Sequence, residues 1–441
     1  MDAWSTSGAA DLGRDIAAGR IDPVDLTERF LAAIDDHPHG RSIYARTTPE
    51  RARAEAEAAR NRARAGLRRH PLDGVPVSWK DLVDTAGTAT EGGSALLAGR
   101  VPGRDAAVLA RATEAGLVCL GKTHQTELAF SGLGLNPITA TPPCINDVEA
   151  MPGGSSSGAA ASVAWGLAAA AVGSDTAGSV RVPAAWNDLV GLKTSHGWLS
   201  LDGVLPLCPR FDTLGPLTRS VEDAALMTSA MAGARPPDLA GVTLAGARFA
   251  VLRTVALEAV EPRSAAAFDA ARRAFEEAGA RLTEVDVPEV SKAADLAGIL
   301  FGAEAYGVWG RTIEADPDVM YPPVRERFRG GAGFAAYEYV SAWRRLAQLR
   351  RAYRAATAAF DAVILPACAI APPKRAAVEA DPAHFAERNL MTLRNTRIGS
   401  LLDLCGLTLP VEPSAGVLLQ APGGDDIRLL RIGMAAERAL G

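Results

Sequence analysis

Lysine is scarce in this chain: of 46 basic residues only five, at positions 80, 122, 193, 292 and 374, are lysine, and the rest are arginine. Arginine does not surrender its proton near neutral pH, so any chemistry that needs a basic amine must draw on one of those five positions. Cysteine is equally sparse, with five residues at 119, 144, 208, 368 and 405 and no CxxC pair. That pattern favours neither a disulfide framework nor a zinc site and fits a reducing cytoplasm. Positive charge is not in surplus either, the formal net charge being −5, which argues against a nucleic-acid surface. The arginine-rich stretch 51–69 alternates with Glu and Ala at helical spacing, as a solvated helix face does. No long hydrophobic run is present. The Ala-rich segment 159–172 is broken by Trp165-Gly166 and is too short for a bilayer, and Met1-Asp2-Ala3-Trp4 lacks the basic and apolar regions of a secretory leader. A soluble, unexported protein with no membrane partner is expected.

What the chain does have is small residues in two clusters. Residues 152–158 read Pro-Gly-Gly-Ser-Ser-Ser-Gly, and residues 173–183 read Gly-Ser-Asp-Thr-Ala-Gly-Ser-Val-Arg-Val-Pro. Neither turn carries a bulky side chain that would stop a ligand or another backbone from approaching, and a helix after the first would aim free N–H groups at it. A serine hydroxyl is almost never ionised at neutral pH, so a serine nucleophile needs a partner base. His37, His39 and His384 lie in polar segments that read as exposed, and His70, His124 and His196 sit in no recognisable serine-hydrolase context. Lys80 is the better candidate. It ends the apolar run Gly74-Val75-Pro76-Val77-Ser78-Trp79, where a cation able to lose its proton is worth having.

The run Gly-Val-Pro-Val-x-x-Lys-Asp at 74–81, then Gly-Gly-Ser-Ser-Ser-Gly at 153–158, then Ser-Asp-Thr-x-Gly-Ser-x-Arg-x-Pro-Ala at 174–184 resembles, in order, the signature of the amidase signature family, hydrolases with a Ser–Ser–Lys triad. The resemblance is strong over residues 71–230, weaker at both ends and faint over 231–360. It implies Ser179 as nucleophile, Ser155 as a bridging serine on a cis peptide, and Lys80 as the base, made neutral by burial without a neighbouring like charge. Backbone N–H groups of Thr176, Ala177, Gly178 and Ser179 would then face the oxyanion. Asp175 and Arg181 bracket this turn and are expected to lock it as an ion pair, with Arg181→Ala freeing the turn and leaving the core alone. The chain departs from the family pattern at Ala177, where glycine is usual, at Ser157, where a third glycine often stands, and at 414–420, an abbreviated match. A methyl at 177 would narrow the site.

Residue patterning predicts a helix over 22–36 opened by Asp22-Pro23, a second over 49–68, and Gly74–Ser78 as the first core strand. Further helices are expected at 105–115, 157–165, 218–231 and 425–440, the last capped by Asp425. Strands are expected at 117–120, 167–172, 360–366 and 407–411, and 248–253, 263–279 and 282–287 read as β-α-β. Residues 116–123 match the Walker A pattern letter for letter. The order there is helix, glycine, apolar strand, not strand, glycine, loop, so nucleotide binding is not expected. The fold class is therefore α/β, a single large α/β/α sandwich with a mixed central sheet flanked by helices. Length alone leaves two domains open, but no linker or repeat interrupts the chain, and it is read as one domain: N-terminal helices 1–70, signature core 71–230, variable region 231–360 and C-terminal strands and helix 361–441.

Aromatic residues make up only 5% of the chain, yet Phe301, Tyr306, Trp309, Tyr321, Phe328, Phe334, Tyr337, Tyr339 and Trp343 gather between 300 and 345. Ordinary helix packing is the favoured reading, with the variable end of a substrate placed near Tyr306 and Trp309 and near Ser131 and Gly132. The expected function is hydrolysis of a small carboxamide through an acyl-enzyme, with no cofactor and no metal. The alternatives are the ammonia-supplying subunit of a tRNA-dependent amidotransferase and an inactive binding protein of the same fold. The partner is a small-molecule amide, and a homodimer is allowed.

Overall fold

Eleven strands, β1 Tyr44–Thr47, β2 Pro76–Lys80, β3 Val118–Thr123, β4 Ala170–Asp175, β5 Val190–Lys193, β6 Thr213–Thr218, β7 Arg248–Leu252, β8 Arg281–Val285, β9 Ala362–Pro366, β10 Leu404–Glu412 and β11 Ala415–Pro422, form one sheet in the computed structural model, which describes residues 3–441. Their order is β1-β3-β2-β4-β6-β5-β10-β11-β9-β7-β8. Parallel pairs, β3/β2/β4 on one side and β9/β7/β8 on the other, are joined through antiparallel ones, so the sheet is mixed and flanked by helices, an α/β fold as expected. The β-α-β reading holds: β7 and β8 pair in parallel around the helix Pro262–Glu277.

Alternation within strands divides the apolar side chains between separate cores on the two faces of the sheet. In β7, Ala250 and Leu252 join the larger core while Phe249 and Val251 join a second one on the opposite face. Both faces of β7 are covered, which is why residues 249–252 read as a continuous apolar run. The helix Pro23–Asp36 buries Leu26, Phe30, Leu31 and Ile34, and the Asp22 carboxylate accepts from Val24 N at 2.9 Å to cap it. The aromatic-rich segment is mostly helix packing, with Phe301 and Phe328 buried between helices and Tyr337 73% exposed.

Several boundaries move. The first strand of the sheet is β1, not the run at 74–78, which itself starts two residues later and ends on Lys80. Four-residue β1 has no alternation to announce it; it is held by pairing with β3 and by the Tyr44 hydroxyl donating to Leu167 O at 2.9 Å. The second helix stops at Arg64, ahead of Gly66 at a φ of +68°. Its arginines are not simply solvated: Arg51 forks onto Asp105 at 2.8 Å and Arg62 onto buried Asp73 at 2.6 and 2.9 Å. The strand expected at 167–172 is shifted to Ala170–Asp175, which places Asp175 in the sheet. The last helix begins at Asp426, and the Asp425 side chain does not cap it. No helix among the described residues is long and apolar enough to cross a membrane.

The last six Walker A letters form β3, all six of whose residues are buried. Lys122 Nζ donates to Val83 O at 2.6 Å and Thr90 Oγ1 at 2.9 Å and lies 3.5 Å from Asp81, so it is a core cation with no loop to wrap phosphates. Lys122→Met is expected to lower unfolding free energy by about 2 kcal/mol or more, since acceptors and a carboxylate lose their donor. Urea unfolding measures this. MgATP should leave the wild-type melting temperature unchanged, and a rise that Lys122→Met removes would reinstate the nucleotide reading.

Candidate active site

β2 and β4 lie side by side and parallel, with Trp79 opposite Val172, so Lys80 and the Ser174-Asp175 pair emerge together at the carboxyl ends of their strands. Ligands of open α/β sheets collect at such ends. The Gly153–Ser156 turn closes over the same edge. Its lack of side chains serves another backbone: a Cβ on Gly154 would lie 2.6 Å from Gly134 N. The Gly154–Ser155 peptide is cis. The helix Ser157–Ala164 follows, but its first turn is not a set of free donors, because Gly158 N–H donates to His124 O at 3.0 Å.

Lys80 is completely buried and its amine meets three hydroxyls, Ser155 Oγ at 2.6 Å, Ser174 Oγ at 2.9 Å and Ser156 Oγ at 3.0 Å. Burial pulls its pKa down to about 7, against the fields of Asp175 and Asp212, which act to raise it. The three contacts suit a neutral amine, with two N–H donors and one lone pair. The Ser156 hydroxyl donates to Ser174 O at 3.2 Å, so its oxygen is left to accept. The Ser155 hydroxyl has no such commitment and is the nearest proton source for the lone pair.

Ser179 sits in the turn after β4, between Asp175 and the helix Arg181–Trp186. The Asp175 carboxylate accepts from Gly178 N at 2.8 Å and Val180 N at 3.1 Å, and it is forked by Arg181 through Nε at 2.9 Å and Nη2 at 2.8 Å. Both partners are fully buried. Burial acts to raise the Asp175 pKa, but the Arg181 charge and these hydrogen bonds outweigh it and hold the carboxyl below its ordinary value. Gly178 N–H is therefore taken, unlike in the four-donor expectation, while the N–H groups of Thr176, Ala177 and Ser179 have no protein acceptor among the described residues. Gly178 has a φ of +145°, and a Cβ there would lie 2.1 Å from Thr396 Oγ1, so only glycine fits. Thr396 Oγ1 donates to Ala177 O at 2.8 Å and Thr176 Oγ1 to Asp212 Oδ1 at 2.5 Å, pinning the turn from two sides.

A cavity of about 710 Å³ opens onto this turn, lined by Thr176, Ala177 and Ser179. Ser179 is 5% exposed, and its hydroxyl has no protein hydrogen-bond partner among the described residues. Ser131 also lines the cavity; Gly132 lies behind it, its N–H donating to Asn389 Oδ1 at 2.7 Å. Tyr306 and Trp309 do not line it. Trp309 donates through Nε1 to Pro206 O at 2.7 Å, and the Tyr306 hydroxyl meets Glu314 at 3.3 Å, whereas Phe301 and Phe334 of the same segment line the cavity. Sequence reasoning also missed Ser156, Ser174, Asp212, Asn389 and Thr396. Ser156 and Ser174 adjoin the small-residue motifs, which is a usable signal. Asn389 and Thr396 lie two turns apart on the helix Pro382–Leu401, and nothing local marks them.

A family model described as Amidase matches residues 25–430. The chain is similar to 2-amino-5-chloromuconic acid deaminase of Comamonas testosteroni, at 34% identity covering 98% of this chain and 97% of that one. It is similar to a glutamyl-tRNA(Gln) amidotransferase subunit of Anaeromyxobacter dehalogenans (strain 2CP-C), at 32% identity covering 98% and 96%. A solved amidase structure superposes with a TM-score of 0.89 at 30% identity, covering 99% of this chain and 100% of that one.

The burial of Arg181 revises what its removal does. Besides Asp175 it donates to Thr396 O at 2.6 Å and Ser400 Oγ at 3.1 Å, so it is a core residue as well as a clamp on the turn. Arg181→Ala leaves a carboxylate buried without its counter-charge and is expected to cost about 3–5 kcal/mol. Chemical denaturation should show a midpoint far below wild type, and an unchanged midpoint would mean the pair does not carry this part of the fold.

Proposed function

The chain belongs to the amidase family, and we propose that it hydrolyses the C–N bond of a small carboxamide through an acyl-enzyme on Ser179, with Ser155 passing protons and Lys80 as base. The observation that carries this reading is the 2.6 Å contact between buried Lys80 and Ser155 beside a cavity that exposes Ser179. As Ser179 Oγ attacks the carbonyl carbon, its proton moves to Ser155 Oγ and the Ser155 proton moves to Lys80. The tetrahedral oxyanion meets the N–H groups of Thr176, Ala177 and Ser179, and one such donor supplies about 2.7–4 kcal/mol in comparable sites. Collapse breaks the C–N bond, and the proton held on Lys80 returns through Ser155 to the leaving nitrogen. Water then attacks the acyl-enzyme by the same route, giving carboxylate and regenerating Ser179. The Ser155-to-Ser179 link, for which the two hydroxyl oxygens must move together, forms once substrate fills the cavity, as catalytic hydrogen bonds often tighten only in the complex.

A second reading follows from the amidotransferase relative: this chain would release ammonia for partner subunits rather than act alone. Ammonia or amine release by the purified chain without partners separates the two. A cytoplasmic setting suits the five cysteines, all free and buried, and a homodimer is compatible with either reading.

Ser179→Ala should abolish turnover while the fold persists, and a fluorophosphonate should label Ser179 in the wild type. Because the working form of Lys80 is neutral, kcat/KM is expected to fall as pH drops through about 7, where the amine gains its proton. Lys80→Arg keeps the charge but cannot accept the proton, so it should be nearly inactive at every pH. An active arginine variant would move the base elsewhere.

A further inference from the structure

Six arginines are pushed below their ordinary pKa by burial: Arg68, Arg219, Arg327, Arg350, Arg394 and Arg397. Four of them find acceptors. Arg68 donates to Pro71 O and Asp73 O, Arg219 to a ring of backbone carbonyls including Ala169 O, Arg350 to Leu401 O, and Arg394 to Asn395 Oδ1. The Arg327 and Arg397 side chains have neither an ion pair nor a hydrogen bond among the described residues, and they are the two that line the cavity holding Ser179.

The two are independent in origin and convergent in space. Arg327 comes from the helix Pro322–Arg329 and Arg397 from the helix Pro382–Leu401. Arg327 Nη1 is enclosed and unpartnered, with the guanidinium 4.3 Å over the Phe130 ring. Burial, then the charge of Arg397, brings Arg327 down to about 9. The one group nearby that acts to raise it is the Cys208 thiol, which burial pushes well above its ordinary value and keeps neutral. Glu326 lines the cavity too, but it is 57% exposed and its carboxylate goes to Arg325 and Arg329. Two half-buried like charges on the wall of a mostly apolar cavity, with no ion pair from the chain, are unfavourable until an anion arrives. The planar guanidinium fork matches a carboxylate bidentately.

Building on Ser179 as the nucleophile, we propose that Arg327 and Arg397 bind a carboxylate carried by the substrate, so that the preferred substrates are amides with a free acid group separated from the scissile C–N bond by an apolar spacer. Phe130, Phe301, Phe385 and Leu393 supply the wall along which that spacer lies. The acid group takes no part in bond breaking; its binding positions the carboxamide and excludes water from the cavity.

The test uses matched pairs differing only in the acid group: 4-carbamoylbutanoate against pentanamide, and 4-carbamoylbenzoate against benzamide. Wild-type kcat/KM should favour the acid-bearing member by about 30-fold or more, as expected when a buried charge pair forms. Arg327→Gln and Arg397→Gln should each reduce that ratio to about 5-fold or less, chiefly through KM. Taking the ratio on one protein sample cancels any general loss of activity. A second arm needs no turnover: glutarate titrated into the wild-type protein by calorimetry should bind saturably, and either substitution should weaken it at least about tenfold. Equal rates for both members of each pair overturn the carboxylate site and leave the amidase reading standing. No hydrolysis of any amide, with Ser179 unlabelled by fluorophosphonate, overturns the amidase reading, and the glutarate titration then judges the carboxylate site alone: no binding at millimolar concentration overturns it.

Discussion

The Asp175–Arg181 pair is the interaction on which the site depends. A carboxylate and a guanidinium, both without solvent exposure, are costly to bury, and the cost is offset only because nearly every hydrogen-bonding position on the pair is used. One carboxylate gathers two backbone N–H groups of the Ser179 turn and both arms of the fork, and the guanidinium reaches on to Thr396 O and Ser400 Oγ of the helix Pro382–Leu401. That helix is also a wall of the cavity. The turn that presents Ser179 and the helix that walls the cavity are thus tied through this buried charge pair, alongside the Thr396 Oγ1 bond to Ala177 O.

The same pairing shapes the environment of Lys80. Asp175 lies near enough to act on Lys80 through space, yet its oxygens are engaged by Arg181 and the turn, so the amine has only hydroxyls as direct partners. Asp212 behaves alike, its oxygens occupied by Thr176 Oγ1, Leu207 N and Cys208 N. A lysine with carboxylates at a distance and none in contact keeps much of its desolvation penalty, which is how an amine comes to titrate near 7 inside a protein. Lys122, buried just as deeply, is also pulled below its ordinary value by burial, but there a carboxylate at 3.5 Å, Asp81, acts directly against the shift.

Much of this was legible in the sequence because it is local. Lys80 closing an apolar strand, the small-residue turn before Ser157 and the Ser174–Arg181 run each declare themselves within a dozen residues, and the β7-helix-β8 unit carries periodicity long enough to read. What could not be read depends on tertiary placement. β1 exists only because β3 offers it an edge, and Gly178 N–H is engaged only because the Asp175 carboxylate reaches back to it. The aromatic segment 300–345 shows the limit most plainly: Phe301 and Trp309 lie on one helix, Ala297–Ala315, yet only Phe301 faces the cavity. Which side of a helix meets empty space is decided by neighbours that its own sequence does not name.

The scarcity of lysine has a practical side. Lys80, Lys122 and Lys193 are buried, the last donating to Thr194 O at 3.0 Å and Leu404 O at 2.9 Å. Only Lys292 and Lys374, with side chains 50% and 56% exposed, present an ε-amine to solvent. An aldehyde resin or an activated ester would therefore couple to the native protein at two side-chain positions, neither of them on the cavity wall. Attachment through either of these side chains would leave the cavity lining untouched, an outcome that here comes from the scarcity of one amino acid.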